Sequence, residues 1–397
     1  MAPLLTIDEA LAAILERVAP LSVERVAVEQ ADGRVLAEDA RAAVDLPPFP
    51  SSAMDGFALR AADTPGTLPV VDRIAAGRPA ARPLAAGEAM AIATGGVVPG
   101  GADAVIPVEY VVQHDNEVEI ADAVAPGAHV RPRGGDVAAG ELVLAAGALL
   151  GPAQVGALAA AGIEEAAVAR RPRVAIVSTG TELQRPGEPL AAGQIYDANT
   201  VLLAAALRGS GADVVTLAAV TDDEQAHRAT LELGLEADVL VTSGGVSVGP
   251  HDLVRRIEAE LGVEEVFWRV AVKPGKPLAF GVRDSTLVFG LPGNPVSALV
   301  CCELFVRPAL LALQGAAEPG PAFAVATLSA AVRRNEARDE LVRARSHIEG
   351  DRVLLAPLRG QESHMIARAA AADALVLVPR GEGELAAGES VRYLRLG

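Results

Sequence analysis

The stretch that decides the fold is Val239-Leu240-Val241-Thr242-Ser243-Gly244-Gly245-Val246-Ser247-Val248-Gly249-Pro250-His251-Asp252. A short run of aliphatic and β-branched residues ends abruptly in hydroxyl-bearing residues and glycines, and an acid opens the next amphipathic segment. In a doubly wound sheet this is a strand delivering a loop to the carboxyl edge, where ligands bind. Glycines there let backbone approach a ligand, and their N–H groups suit an anion.

Strand-like runs with the same ending lie on both sides of it: Val174 to Val177, Val214 to Leu217 and Leu287 to Phe289. The first three strands are separated by helical stretches, Asn199 to Arg208 and Asp223 to Leu235. This βαβ alternation predicts a largely parallel sheet. Asn294-Pro295 then opens a long apolar helix to Leu313, with Gly315 as its stop.

Five loops on the expected carboxyl edge carry small or charged residues: Ser178-Thr179-Gly180-Thr181-Glu182, Thr221-Asp222-Asp223, Ser243 to Asp252, Lys273-Pro274-Gly275-Lys276-Pro277 and Pro292-Gly293-Asn294-Pro295. A parallel sheet brings Glu182, Asp222, Asp223 and Asp252 near Lys273 and Lys276. Carboxylates beside lysines suit Mg²⁺ plus a phosphate, with hard oxygens for the metal and ammonium groups for the anion. Each loop also has a plainer reading: Asp222 and Asp223 suit a helix N-terminus, and the Lys-Pro-Gly-Lys stretch a solvated turn. The coincidence of five loops favours the site.

The flanking segments differ. Thr6 to Glu9 forms a capping box ahead of a helix with Leu11, Ile14, Leu15 and Val18 on one face. Residues 51–147 read as β-rich and carry Ser52-Ala53-Met54-Asp55-Gly56, Thr94-Gly95-Gly96 and Arg131-Pro132-Arg133-Gly134-Gly135-Asp136, the last suited to oxyanions. After Pro319-Gly320-Pro321 the pattern returns to short strands. The expected architecture is multidomain α/β plus β: a discontinuous helical linking domain (1–50 and 148–171), a β-rich domain (51–147), a central doubly wound α/β domain (172–316) and a small C-terminal β-barrel-like domain (317–397).

Composition narrows the function classes. The net charge of −17 opposes nucleic acid or an anionic membrane as partner, and with aromatics at 3% base stacking is unsupported. The two cysteines, Cys301 and Cys302, are adjacent in an apolar segment, which excludes a disulfide framework and a zinc motif and suits a reducing cytosol. Residues 142–163 form an uncharged run, but glycines and Pro152 divide it into strand, turn and helix. Gly245-Val246-Ser247-Val248-Gly249 matches a nucleophile elbow in letters only, since residues 242–245 separate the serine from the strand and Pro250-His251 delay the helix. Gly381 to Ala386 matches a dinucleotide fingerprint with too little chain left for a βαβ unit.

The motifs SAMDG (52–56), TGG (94–96), STGTEL (178–183), GQIYDAN (193–199), SGGVSVG (243–249), KPGKP (273–277) and GLPGNPVSA (290–298) together resemble the molybdopterin molybdenumtransferase family, which is related to one domain of gephyrin. The likeness runs in order through nearly the whole chain. One departure is Thr181, where the family often carries an acid beside Glu182. The resemblance implies a cytoplasmic homodimer that inserts molybdate into adenylylated molybdopterin and releases AMP with Mg²⁺, with the adenylyltransferase of the preceding step as a protein partner. It also implies a site shared between the α/β domain of one subunit and the SAMDG-bearing domain of the other.

The roles it implies are these. Glu182, Asp222, Asp223 and Asp252 hold the metal or position water, while Lys273 and Lys276 bind phosphate. Asp55, Thr94, Arg133 and Asp136 serve the molybdate and pterin side. Ser178, Thr179, Gly180, Ser243, Gly244, Gly245, Ser247, Gly293, Asn294 and Pro295 contact the pterin nucleotide. An adenylyltransferase using ATP, and a gephyrin-like scaffold without activity, are the alternatives.

Overall fold

The computed structural model describes residues 4–220, 223–244 and 253–396. Asp222, Gly245, Ser247 and Asp252 lie outside the described residues.

The central sheet is built from β1 (Arg173–Thr179), β2 (Asp213–Val220), β3 (Val239–Ser243), β4 (Glu264–Trp268), β5 (Ala279–Arg283) and β6 (Thr286–Leu291), in the order β2-β1-β3-β6-β5-β4. β2, β1, β3 and β6 run parallel, and β5 and β4 extend the sheet antiparallel. The two antiparallel strands have no separate signal in the sequence, because the charged runs beside them interrupt any alternation. Their effect is to bring the turn 269–278, which joins β4 to β5, to the same edge as the exits of the parallel strands. Strand order reverses at β1 and β3, making their exits the switch point of the sheet.

Both faces of the central strands are buried, as parallel strands require. One face (Val174, Ile176, Val239, Val241, Phe289) packs on α1 (Ala198–Gly209) through Leu203 and Leu207. The other face (Ala175, Val177, Leu240, Val288) meets α2 (Glu224–Gly234) and α3 (Leu253–Glu260) through Leu231, Val254 and Ile257. Phe267, Phe280 and Phe289 step across β4, β5 and β6 with ring centroids 5.6 and 5.0 Å apart.

The long apolar segment Pro295–Leu313 passes the length and composition test for a membrane span, but 72% of that stretch is buried inside the protein. It is a core helix in three parts: α4 (Pro295–Cys301), a π turn at Cys302–Val306 and α5 (Arg307–Leu313). Pro308 explains the π turn. Proline has no N–H and its ring collides with the carbonyl four residues earlier, so one widened turn, closed by Arg307 N–H to Cys302 O, relieves the collision.

The remaining segments attach around this domain. The N-terminal helix Ile7–Leu15 buries Ile7, Ala10 and Ile14 against the α/β core, and it ends before Val18, which was expected to share its apolar face. Val23–Ala27 pairs with Glu165–Ala169, and these strands share a small core with the helix Pro152–Ala160. A six-stranded sheet spanning 56–120 forms the β-rich part. At the C-terminus, Phe323–Leu328, Asp339–Glu349, Arg352–Pro357, Ala374–Val378 and Ser390–Arg395 close into a five-stranded barrel. Val272–Lys273, from the β4–β5 turn, adds to this barrel as a short parallel strand beside Asp339–Glu340.

The capping box at the first helix is present, with Glu9 N–H donating to Thr6 Oγ1 at 3.1 Å and Thr6 N–H to Glu9 Oε2 at 2.8 Å. Thr6→Ala is therefore expected to cost about 1 kcal/mol in denaturant unfolding. A change within error would show that the cap contributes nothing.

Candidate active site

The exits of β1, β3 and β6 meet closely, and at Gly244 a side chain is excluded. A Cβ on Gly244, whose φ is +90°, would lie 2.9 Å from the Thr179 carbonyl oxygen, and one on Gly293 would lie 3.7 Å from the Gly244 Cα. Gly244 N–H donates to Leu291 O at 3.1 Å. Ser178, Thr179, Gly180, Ser243, Gly244, Gly293 and Asn294 thus form one crevice edge.

The first turn of α1 braces that edge. Asp197 caps it by accepting from Thr200 N–H at 3.0 Å and from the Thr200 hydroxyl at 2.6 Å. The Thr200 hydroxyl also hydrogen-bonds Ser178. Asn199 Nδ2 donates to Ser243 Oγ at 2.8 Å and to Gly293 O at 2.7 Å. A cleft of about 530 Å³ opens beside it, lined by Leu183, Arg185, Asp197, Thr200, Val201 and Thr216.

The charged residues divide into several cases. Glu182 folds its carboxylate over Gly180, where a Cβ would meet it at 2.5 Å, and its carbonyl accepts from Ile195 N–H at 2.8 Å. One oxygen of Asp223 caps α2, accepting from Gln225 and Ala226 N–H at 2.8 and 3.0 Å. That is the plainer role allowed by the sequence, and it leaves the second oxygen for a ligand. Among the described residues no group of three His, Cys, Asp or Glu is placed to hold a metal ion. Of the four acids expected to do so, Asp222 and Asp252 lie outside the described residues.

Lys273 pairs with Glu340 of the barrel at 3.0 Å, so its charge is already partly neutralised. The backbone carbonyl of Lys276 accepts from Val270 N–H at 3.0 Å, and its side chain makes no ion pair with a described residue. The turn carrying both lysines rests on the core helix. Cys301 Sγ lies 3.6 Å from Gly275 O, where only glycine fits. Burial pushes both adjacent thiols far above their ordinary range, which makes them inert packing groups.

Sequence reading missed two features of these loops. Arg269 has φ +79°, rare outside glycine, and its guanidinium stacks 3.7 Å from the Trp268 ring at the end of β4. No motif marks it, because a single arginine after a tryptophan has no spacing to read. The C-terminal barrel also reaches the crevice. Ser363 accepts from Asn294 Nδ2 through its hydroxyl at 2.9 Å and from Val296 N–H through its carbonyl at 3.1 Å. Asn294 therefore gives its side chain to the barrel, and the barrel caps α4 in return. Buried Arg343 holds the Ser363 loop through the carbonyls of Gly360, Glu362 and Met365.

The β-rich part carries a second polar group. Asp55 accepts from Thr94 N–H at 2.6 Å and from the Thr94 hydroxyl at 2.9 Å, and these bonds hold its carboxyl below the usual range. Arg133 is engaged by Asp45, an acid the sequence reading passed over, and Asp136 sits on the same turn through its N–H to Leu46 O at 2.9 Å. Among the described residues no hydrogen bond or ion pair joins this group to the strand exits.

Comparison with known proteins matches three stretches in chain order. Residues 5–162 match the MoeA N-terminal region (domain I and II), 175–312 a probable molybdopterin binding domain, and 325–396 the MoeA C-terminal region (domain IV). Molybdopterin molybdenumtransferase 2 of Mycobacterium tuberculosis is 40% identical over 92% of this chain and 93% of its own length. The chain belongs to the MoeA family. The molybdopterin molybdenumtransferase of Haemophilus influenzae is 34% identical over 98% of each chain. Among solved structures, MoeA proteins of Pyrococcus horikoshii cover 99% of this chain with TM-scores of 0.77 and 0.84 at 34% and 29% identity. The family fold thus spans the whole molecule, barrel included.

Because Asp55 has its carboxyl lowered by the Thr94 donors, it stays ionised throughout the neutral range and protonates only as pH falls below the ordinary carboxylate pKa of about 4. Thr94→Val removes the hydroxyl donor and should raise the Asp55 pKa in a ¹³C carboxyl titration. An unchanged titration would show that the hydroxyl does not hold the carboxylate.

Proposed function

We propose that this protein transfers molybdenum from molybdate into the dithiolene of adenylylated molybdopterin and releases AMP. The observation that carries the reading is the glycine-bearing switch-point crevice, where the exits of β1, β3 and β6 meet and Glu182 folds over Gly180. An acidic protein needs a local cationic patch to accept a doubly anionic anhydride, and we assign that task to Lys276 and Arg269 of the β4–β5 turn.

Each group has a task in that reaction. Backbone N–H groups at the Gly180 and Gly293 exits seat the phosphates, since that of Gly244 is held by Leu291 O. Lys276 and Arg269 offset charge that builds on the departing AMP, and Lys273 is steered between that task and its partner Glu340. Glu182, the second oxygen of Asp223, Asp222 and Asp252 are the oxygen donors we assign to Mg²⁺. Bound there, the ion would polarise the anhydride. The absence of an acid at position 181 leaves Glu182 as the donor of that loop. Ser247 and Gly245 are assigned to the pterin side by their place in the loop 243–252.

The Asp55, Thr94, Arg133 and Asp136 group is assigned to molybdate and pterin, brought to the crevice by a second copy in a homodimer. Support comes from its lack of polar contact with the crevice of its own chain among the described residues. Val201 and Val215 are also exposed on the α1–β2 flank, at 59% and 57%, which suits burial in a subunit contact. Two free, buried cysteines suit the reducing cytoplasm assigned to this step, which would follow a protein that adenylylates the pterin.

The test is direct: purified protein with adenylylated molybdopterin, Mg²⁺ and molybdate should release AMP only when molybdate is present. Protein that instead attaches AMP from ATP to molybdopterin would overturn the reading. Asp252→Ala is expected to reduce molybdate-dependent AMP release about 100-fold or more with the melting temperature unchanged. Lys276→Ala should weaken nucleotide affinity roughly 10-fold, with a shallower salt dependence than the native protein. Near-native turnover or affinity in either variant would show the charged groups are misassigned.

A further inference from the structure

Among the described residues Asn199 hydrogen-bonds none to which the reaction assigns a proton or a charge, yet its amide nitrogen is committed to the crevice. Both Nδ2 hydrogens are used, one on Ser243 Oγ at the exit of β3 and one on Gly293 O at the exit of β6. The side chain comes from a third element, the first turn of α1, whose neighbouring Thr200 holds Ser178 at the exit of β1. A single helical turn therefore contacts all three exits that form the crevice. The acceptor facing it, the Gly293 carbonyl, fixes which atom is nitrogen, because the reverse orientation would set oxygen against oxygen.

The other half of this amide is informative. Asn199 is 8% exposed, and among the described residues its buried Oδ1 has no hydrogen-bond partner. A buried acceptor left without a described partner is costly, so what the asparagine contributes here lies in the two bonds of its Nδ2. An apolar side chain of similar volume would fill the space without that penalty, but it would leave the β3 and β6 exits untied. The glycines at these exits allow very close backbone approach, and the same freedom leaves their spacing undefined unless something fixes it.

We propose that Asn199 is a positioning residue for the reaction: it sets the separation of the Ser243–Gly244 and Gly293 exits and so the distance between the groups they present to the phosphoanhydride. The inference rests on the molybdenumtransferase reading above. A misplacement of about 1 Å in such a frame can lower turnover on the order of 100-fold without removing any group that touches substrate.

Two variants and one measurement without turnover test it. Asn199→Ala should lower kcat for molybdate-dependent AMP release on the order of 100-fold while KM for the adenylylated pterin stays within about 3-fold. Hydrogen–deuterium exchange of the variant should lose protection both in the segment ending at Gly244 and in the segment through Gly293. Asn199→Asp keeps the shape but sets a carboxylate against the Gly293 carbonyl. Burial raises its pKa, so turnover should recover as pH is lowered from about 8 to about 6, where the protonated carboxyl again donates. Near-native kcat in the alanine variant, unchanged exchange at the two exits, or a flat relative pH profile for the aspartate variant would overturn the proposal. Native protein lacking AMP release would sink the reaction reading instead, and the exchange experiment would still decide the role of Asn199.

Discussion

The crevice depends on backbone packed against backbone where the sheet reverses direction. Thr179, Gly244 and Gly293 come from strand exits far apart in sequence, and the contact between the first two leaves no room for a Cβ at Gly244. That exclusion forces glycine there, so backbone rather than side chain faces the carboxyl edge, with the Gly244 N–H held by Leu291 O. The chemistry of the edge and its packing therefore have the same origin. Parallel strands buried on both faces supply the rigid frame beneath it, with aliphatic layers alternating between the α1 side and the α2–α3 side.

The C-terminal barrel is tied to this edge rather than appended to it. Its strand Asp339–Glu349 accepts Val272–Lys273 as a neighbour, and its Ser363 loop exchanges hydrogen bonds with Asn294 and Val296 at the head of α4. Beneath the lysine turn runs the core helix, which accommodates Pro308 by widening at Cys302–Val306 and places the Cys301 sulfur under Gly275. Movement of the barrel would be felt at Lys273 through Glu340 and at the β6 exit through Asn294.

Much of this was legible in the chain. Val174 to Val177 and Val239 to Val241 read as buried strands because short aliphatic runs ending in Ser-Thr-Gly or Ser-Gly have few other uses, and the parallel core followed. The antiparallel strands Glu264–Trp268 and Ala279–Arg283 were not legible, since Glu264, Glu265 and Arg283 break the apolar pattern and only sheet pairing organises them. Asp223 shows the limit for site residues, as an acid before a helix serves as cap and as ligand with one spelling. Arg269 and Ser363 escaped because each acts from a place fixed by tertiary contact, the first by its stack on Trp268 and the second by a barrel loop held on Arg343. Asp45 escaped likewise, for its partner Arg133 lies far along the chain.

The account requires that acids and cations from separate loops act on one anhydride at the switch point. Anomalous diffraction from crystals soaked with Mn²⁺, AMP and molybdate tests this most directly. The account predicts a manganese peak bridging the Glu182 and Asp223 loops, with the AMP phosphate against the Gly244 and Gly293 backbone. A metal bound away from those loops, or a nucleotide seated elsewhere on the molecule, would contradict it.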